Sequence, residues 1–435
     1  MSSASKSRSR TTRVAIVGDG PAGSALATLL ARKGVDVAVF ASGKRPDLLV
    51  GESLIPAIVP IFRKLGIEEE VAEIAQVKKG GTFVWRDDSP IELSFENLGG
   101  LLPHYAYNCP RPALDEIISR CAQRSGARWI PQPAKVRLGN PEQGENELML
   151  DEKTIRSVEA WRGSQPDLVV DSTGRRRLFV RLLNIPADEG PRKDIAHFAH
   201  FRGWHHDAPP GQIMISRMEC GGWSWRIPLR DEMSVGIVVP KVAADRLGTT
   251  PEERLERAIT LNSALAESGR DRERTTDVPT YNNYQLITQR GYGPGWTAAG
   301  DAFGFVDPML SPGMWVALRS AEMLAEAIPT ESISSECWAV LLSSYEKKMV
   351  TLLSSWQRLI ASFYDGTIVA SYFGGREFML KRRNPLVNMM EKHVQRNLAG
   401  MAAGALTESA YSQGLLRFIC RYGNYGVNAE ELEIG

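Results

Sequence analysis

The 435-residue chain balances 52 lysines and arginines against 51 aspartates and glutamates, a formal charge of +1, so no global field recruits nucleic acid or an anionic membrane surface. No apolar run approaches the ~18 residues that a membrane span needs. The length allows a large buried core and two or three structural units, in the composition range of ordinary soluble proteins.

The N-terminus places Lys6, Arg8, Arg10 and Arg13 among serines without the apolar stretch of a secretory signal, which predicts a disordered basic tail over residues 1–12. Cys109, Cys121, Cys220, Cys337 and Cys420 are odd in number and scattered, with no Cys-x-x-Cys. That usage fits reduced thiols in a cytoplasmic protein, and neither a zinc site nor a disulfide framework.

Arg13 to Val17 reads as a buried parallel strand that runs into Gly18-x-Gly20-Pro21-Ala22-Gly23, and helical spacing follows to Lys33 through Ala25, Leu26, Leu29 and Leu30. Glycines at these positions permit a tight turn and close approach of a pyrophosphate, which the helix N-terminus meets with free N–H groups. This is a dinucleotide-binding expectation. The next strand, Val35 to Phe40, ends in Ala41-Ser42, where an acidic residue is expected to hold the adenosine ribose. Asp36 comes too early, so either Ser42 or a backbone group takes that place or the contact is missing.

Gly51-Glu52-Ser53-Leu54 follows the basic loop Lys44-Arg45-Pro46 and predicts a helix through Phe62. Lys78 and Lys79 stand at the entrance of a strand ending at Trp85; solvated surface is their ordinary role. Arg111 and Asp115 head a helix to Ser125, and Asp171 with Gly174 ends another buried strand, both open to purely structural readings as cap and turn.

From Asp194 to Val239 the pattern alternates and is aromatic, which predicts an antiparallel sheet. Trp223 and Trp225 share one strand face there, open to packing or to substrate contact. His197 and His200 fall on opposite strand faces without an acidic cluster, so no metal is expected. A helical link follows over Thr250 to Ser268. Beyond it, Gly300-Asp301, Asp307-Pro308 and Ser311-Pro312-Gly313 make a loop whose backbone amides suit a cofactor, before a helix to Ile328. Leu352 to Phe373 and Phe378 to Ala402 predict helices, with Lys381-Arg382-Arg383 a short basic run between them.

Together these motifs resemble the flavin-dependent halogenases and the single-domain FAD monooxygenases of the para-hydroxybenzoate hydroxylase type, over about Arg13 to Ile328. The carriers are the glycine turn, Gly51-Glu-Ser-Leu, Lys78, Arg111 with Asp115, Asp171 with Gly174, Trp223-x-Trp225-x-Ile-Pro, and Gly300-Asp301 with Asp307-Pro308. The resemblance implies an α/β fold: a Rossmann-like FAD-binding domain of the glutathione-reductase type (residues 13–190 and 290–330), a substrate sheet over 191–289 joined by 80–110, and a helical region over 331–435. It implies FAD in its reduced form with molecular oxygen, a flavin C4a-hydroperoxide, and a separate flavin reductase. Gly18, Gly20, Pro21, Ala22, Gly23, Ser42, Glu52, Ser53, Arg111, Asp171, Gly174, Asp301, Asp307, Pro308 and Gly313 are then cofactor-binding. Trp85, Trp223 and Trp225 line the substrate pocket, and Lys78, Pro312 and Gly313 are catalytic.

Within that resemblance Ser311-Pro312-Gly313 departs from the halogenases, whose halide site uses backbone N–H groups in this segment. Proline has no N–H, and one charge-assisted hydrogen bond to an anion is worth roughly 1.5–3 kcal/mol. The expectation is therefore hydroxylation of an electron-rich aromatic ring, an indole such as a tryptophan residue of a protein substrate during quinone cofactor biogenesis. The alternative is halogenation of an indole, phenol or pyrrole.

Overall fold

The computed structural model describes residues 10–43, 47–85, 90–282, 285–381 and 385–435. The loop Lys44-Arg45-Pro46, Arg382-Arg383 and residues 1–9 of the predicted tail lie outside them.

A six-stranded sheet carries the N-terminal half. Its order is Tyr292–Gly293, Trp296–Ala298, Leu168–Asp171, Arg13–Val17, Asp36–Phe40, Arg128–Ile130, parallel apart from the first pair. Val14, Ala15 and Ile16 are fully buried, as a strand covered on both faces must be. The helices Pro21–Lys33 and Gly313–Ala327 pack against each other over this sheet. Their N-termini open on the same cavity.

A larger sheet has the order Glu273–Arg274, Asp194–Arg202, Met233–Pro240, Trp223–Pro228, Ile213–Arg217, Gly80–Val84, Ile91–Ser94, with Thr280–Asn282 also on Asp194–Arg202. It is antiparallel except where Ile213–Arg217 runs parallel to Gly80–Val84. One face meets the helices Lys241–Leu247, Pro251–Leu261 and Ser263–Ser268 through Val235, Ile237 and Leu255. The other carries Trp223 and Trp225 toward the cavity.

Several local expectations shift. Residues 51–55 are not helical: Gly51 has φ +98, Ser53 bridges Asn108, and regular turns begin only at Pro56. The helix Arg111–Arg124 has Pro110 at its N-cap and Pro112 as its second residue, so Asp115 sits inside the first turns and is no cap. The segment expected as Leu352 to Phe373 is two helices, Ser335–Tyr364 and Thr367–Lys381, broken where Gly366 takes φ +70.

Candidate cofactor cavity and active site

Each glycine of the first turn has a separate steric reason. A Cβ on Gly18 would stand 2.5 Å from Ser172 O, and one on Gly23 2.2 Å from Gly18 O, whereas one on Gly20 meets no protein atom within 4 Å. The first and third glycines close the turn, and the second leaves room for a ligand. The helix behind it begins without a side-chain cap, so its first N–H groups stay available to an anion. These features fit the pyrophosphate of FAD.

The turn opens into a cavity of about 770 Å³ lined at this end by Ser42, Lys135 and Gly174 and at the other by Trp223, Trp225 and Ile227. Asp36 faces elsewhere, bonded to Arg128 Nε and Trp161 Nε1 at 3.0 Å each. No carboxylate replaces it at the strand end, and Ser42 lines the wall.

Glu52, Ser53, Arg111, Asp115 and Asp301 line the middle. Arg111 grips Asp115 through Nε and Nη2 (3.1 and 3.3 Å) and donates from Nη1 to Val50 O at 2.7 Å, which fixes the guanidinium beside Gly51. Burial lifts the carboxyl of Asp301, against the pull of the Arg175 and Arg111 charges. Behind Ser53 lies Lys78, only 3 % exposed. Its Nζ donates to Ser53 Oγ and Leu54 O, both at 2.9 Å, and sits 5.5 Å from the centre of the Phe95 ring. With no carboxylate bonded to it among the described residues, burial pushes the amine down to about 7. Lys78 is thus a buried amine able to act neutral near pH 7, one hydroxyl away from the cavity wall.

The indoles of Trp223 and Trp225 lie 5.8 Å apart and tilted. Trp223 Nε1 donates to Tyr364 Oη at 2.9 Å, and Tyr364 Oη donates to Asp307 Oδ1 at 2.9 Å. Asp307 also accepts from Met309 N and Gln285 Nε2. Leu310 and Ser311 then take φ +68 and +61, a left-handed pair of non-glycine residues that costs on the order of 1–3 kcal/mol each. Pro312 follows as the N-cap of Gly313–Ala327. The N-cap N–H is one of the four that a helix leaves without an intrahelical partner, and proline supplies none. Val316 N closes that turn on Pro312 O, so the amides of Gly313 and Met314 remain at the positive end of a 15-residue helix, and both residues line the cavity. The expected loss at Pro312 therefore leaves two donors in place.

Six predicted positions, Gly23, Lys78, Trp85, Asp171, Asp307 and Pro312, are not among the residues lining the cavity. Asp171 is fully buried and spends its carboxylate on Thr173 N, Thr173 Oγ1 and Phe179 N. Asp307 organises its own loop as described. Trp85 donates to Leu432 O at 3.0 Å and packs on Phe83 and Phe363. Asp171 is held by donors of its own turn, and Asp307 by Met309 N of its loop together with Gln285 Nε2 and Tyr364 Oη of distant elements. Sequence reasoning missed Arg175 and Tyr281, which line the cavity, and His200, whose Nε2 lies 2.7 Å from Glu52 Oε1. Glu52 and His200 are 148 residues apart, so no local spacing announces the pair.

A glycine turn with an open second position, a helix end aimed at it and one cavity continuing to paired indoles fit an FAD-dependent enzyme of the oxidoreductase type. The chain belongs to the tryptophan halogenase family, which matches residues 98–373, and the FAD binding domain family matches residues 11–159. It is 27 % identical over 405 residues to the tryptophan 2-halogenase of Chondromyces crocatus, covering 91 % of this chain and 76 % of that protein. The 1H-pyrrole-2-carbonyl-[peptidyl-carrier protein] chlorinase of Pseudomonas fluorescens is 26 % identical, covering 83 % of this chain and 85 % of that one. Among solved structures, the myxobacterial chondrochloren halogenase CndH superposes with a TM-score of 0.69 at 25 % identity over 82 % of each chain. The brominase Bmp2 shares the fold, with a TM-score of 0.73 over 94 % of this chain and 99 % of its own. The FAD-binding α/β fold expected from sequence is the one found. Tryptophan hydroxylation and cofactor biogenesis find no support in these likenesses, which favour the halogenase alternative. No helix among the described residues is long and apolar enough to cross a membrane.

Proposed function

We propose that this chain halogenates an electron-rich aromatic ring of the indole or pyrrole class. The observation that carries the reading is Lys78: a buried amine without a carboxylate partner, hydrogen-bonded to the cavity-lining Ser53, in a chain of the halogenase family. Bound FAD, reduced by a separate flavin reductase, supplies the electrons that activate oxygen. The protein's part is position and charge. The glycine turn and the helix at Pro21 hold the pyrophosphate, and Arg111, held by Asp115, fixes the Gly51 to Ser53 wall. The Gly313 and Met314 amides offer an anion two donors at a helix N-terminus. Trp223 and Trp225 line the cavity, and Lys78 reaches its wall through Ser53. Relatives of this chain act on tryptophan or on a pyrrole-2-carbonyl group held by a peptidyl-carrier protein, as their names state, and both are substrate candidates here.

A second reading, hydroxylation of an aromatic ring including a tryptophan within a polypeptide, is favoured by one observation, the missing N–H at Pro312. The two part on one experiment. The chain is incubated with reduced FAD, oxygen, bromide and indole, pyrrole or tryptophan-peptide substrates, and products are read by mass. A bromine isotope pair supports halogenation; incorporation of one labelled oxygen atom with no brominated product sinks it. Pro312→Ser restores an N–H and is expected to lower the bromide KM by about tenfold or more, from a bond of roughly 1.5–3 kcal/mol.

A further inference from the structure

Glu52 lines the flavin cavity and is itself 1 % exposed. Its Oε1 lies 2.7 Å from His200 Nε2, and the other ring nitrogen, Nδ1, lies 3.3 Å from Glu232 Oε2. Exposure rises along this line: the side chains of His200 and Glu232 are 9 % and 21 % exposed, and Glu232 meets Arg202, 64 % exposed, at 3.6 Å. The imidazole therefore bridges an interior carboxylate to one in contact with solvent. Its backbone is pinned by the N–H to Thr276 Oγ1 bond at 3.0 Å, and Glu52 by the Cys109 N to Glu52 O bond at 2.8 Å.

We propose that Glu52, His200 and Glu232 form a proton path from solvent to the flavin cavity. The inference rests on oxygen being reduced in that cavity, not on which aromatic product forms. Reoxidation of the anionic reduced flavin, FADH⁻ + O₂ + H⁺ giving FAD + H₂O₂, draws one proton from solvent, and halogenation written in full, ArH + X⁻ + O₂ + FADH⁻ + 2 H⁺ giving ArX + FAD + 2 H₂O, draws two. Along the path, Nε2–H passes its proton to Glu52 Oε1 while Nδ1 takes one that entered at Glu232. A half-turn of the ring resets it after Glu52 has given up its proton. No electron moves, and solvent is the source. His200 acts through Glu52 and is a relay, not a residue in contact with the reacting atoms.

The charges around the ring set its titration. Burial opposes the charged imidazole, but the hydrogen bond and charge of Glu52, then Glu232, outweigh it and raise the group above its ordinary value. Arg202 stands behind Glu232. On the cavity side Arg111, which donates to Val50 O at 2.7 Å, and its partner Asp115 line the same cavity as Glu52. Phe198 on the same strand is the aromatic neighbour of the ring, and beyond Phe198 stand Tyr281 and, 5.6 Å over its ring, Arg175.

Two measurements test the path. The first is titration of the histidine ring by NMR in the FAD-free protein: His200 is expected to titrate above 6.5, and lower in Glu232→Gln. Titration at or below 6.5 in the wild type overturns the proposal. The second is reoxidation of bound, reduced FAD by oxygen, followed by flavin absorbance without organic substrate, in wild type, Glu232→Gln and His200→Gln. The wild-type rate should fall as pH rises through the histidine pKa and show a solvent isotope effect. His200→Gln should flatten the profile and slow the rate about tenfold or more, with FAD affinity kept; Glu232→Gln should move the limb to lower pH if His200→Gln does not fold. Wild-type profiles in both variants, or a loss confined to FAD affinity, overturn it. Since no halide or aromatic enters this assay, failure of the halogenation reading leaves its outcome unaffected.

Discussion

At the scale of single residues, the glycine turn separates binding from folding. Gly20→Ala adds a methyl group into space that the protein leaves empty, so it should weaken FAD binding, read by fluorescence titration, with little change in Tm. Gly23→Ala forces a carbon to 2.2 Å from Gly18 O and should lower stability by an amount at the upper end of ordinary point changes, about 3 kcal/mol or more. Lys78 gives a prediction in pH. Its folded-state pKa, about 7, lies below the unfolded 10.5, so between these values the unfolded chain binds the extra proton and stability rises with pH. Relative to Lys78→Met, the wild type should gain on the order of 2 kcal/mol between pH 7 and 9 in denaturant titrations; parallel stabilities would show that the amine stays charged. The glycine turn was legible because its steric demands are local. At Asp171 and Asp307 local spacing does not separate two uses of a carboxylate, which at a strand end or in a loop satisfies neighbouring donors as readily as a cofactor. Lys78 as a reactive group came from resemblance, its spacing alone being that of a surface lysine.

At the scale of elements, the Trp223 strand, the end of the long helix Ser335–Tyr364 and the Asp307 loop meet in one chain of hydrogen bonds through Tyr364 Oη. Arg192 lies over the same ring at 4.0 Å, and burial first, then the Asp307 charge, pushes the phenol well above its ordinary range, so it is a neutral donor at working pH. Tyr364→Phe keeps the packing but leaves Trp223 Nε1 without its acceptor and Asp307 short of one donor. The expected cost is roughly 1–3 kcal/mol, read by denaturation. A larger fall in substrate turnover than in stability would show that the bond also aims the indole. Alternation in the sequence gave this strand and its inward indoles correctly. The partner came from a helix 141 residues away, and no periodicity links the two.

At the scale of the whole molecule, the sequence suggests separate FAD and substrate units, and the packing gives that division a test. One continuous apolar cluster contains Val14 and Ile16 of the first sheet, Trp223 and Trp225 of the second, Leu352 and Trp356 of the long helix, and Ile434 near the C-terminus. Residues 431–435 lie across the second sheet: Ile434 is fully buried, its N–H bonds Tyr364 O at 2.8 Å, Arg217 and Arg192 donate to the Glu431, Ile434 and Gly435 carbonyls, and Trp85 to Leu432 O. If the units unfold together, Ile434→Ala should cost about 2–5 kcal/mol, and it should move flavin release and tryptophan emission to lower denaturant by the same amount. Saturating FAD at a hundredfold over its Kd should return about 2.7 kcal/mol to both transitions alike. Independent units would behave otherwise, with Ile434→Ala shifting the tryptophan signal while flavin release stays where it was. The shared core predicts the first outcome, because the atoms that Ile434 touches belong to the same packed cluster as the strand beneath the glycine turn, and packed interiors transmit a lost side chain as strain rather than absorb it locally.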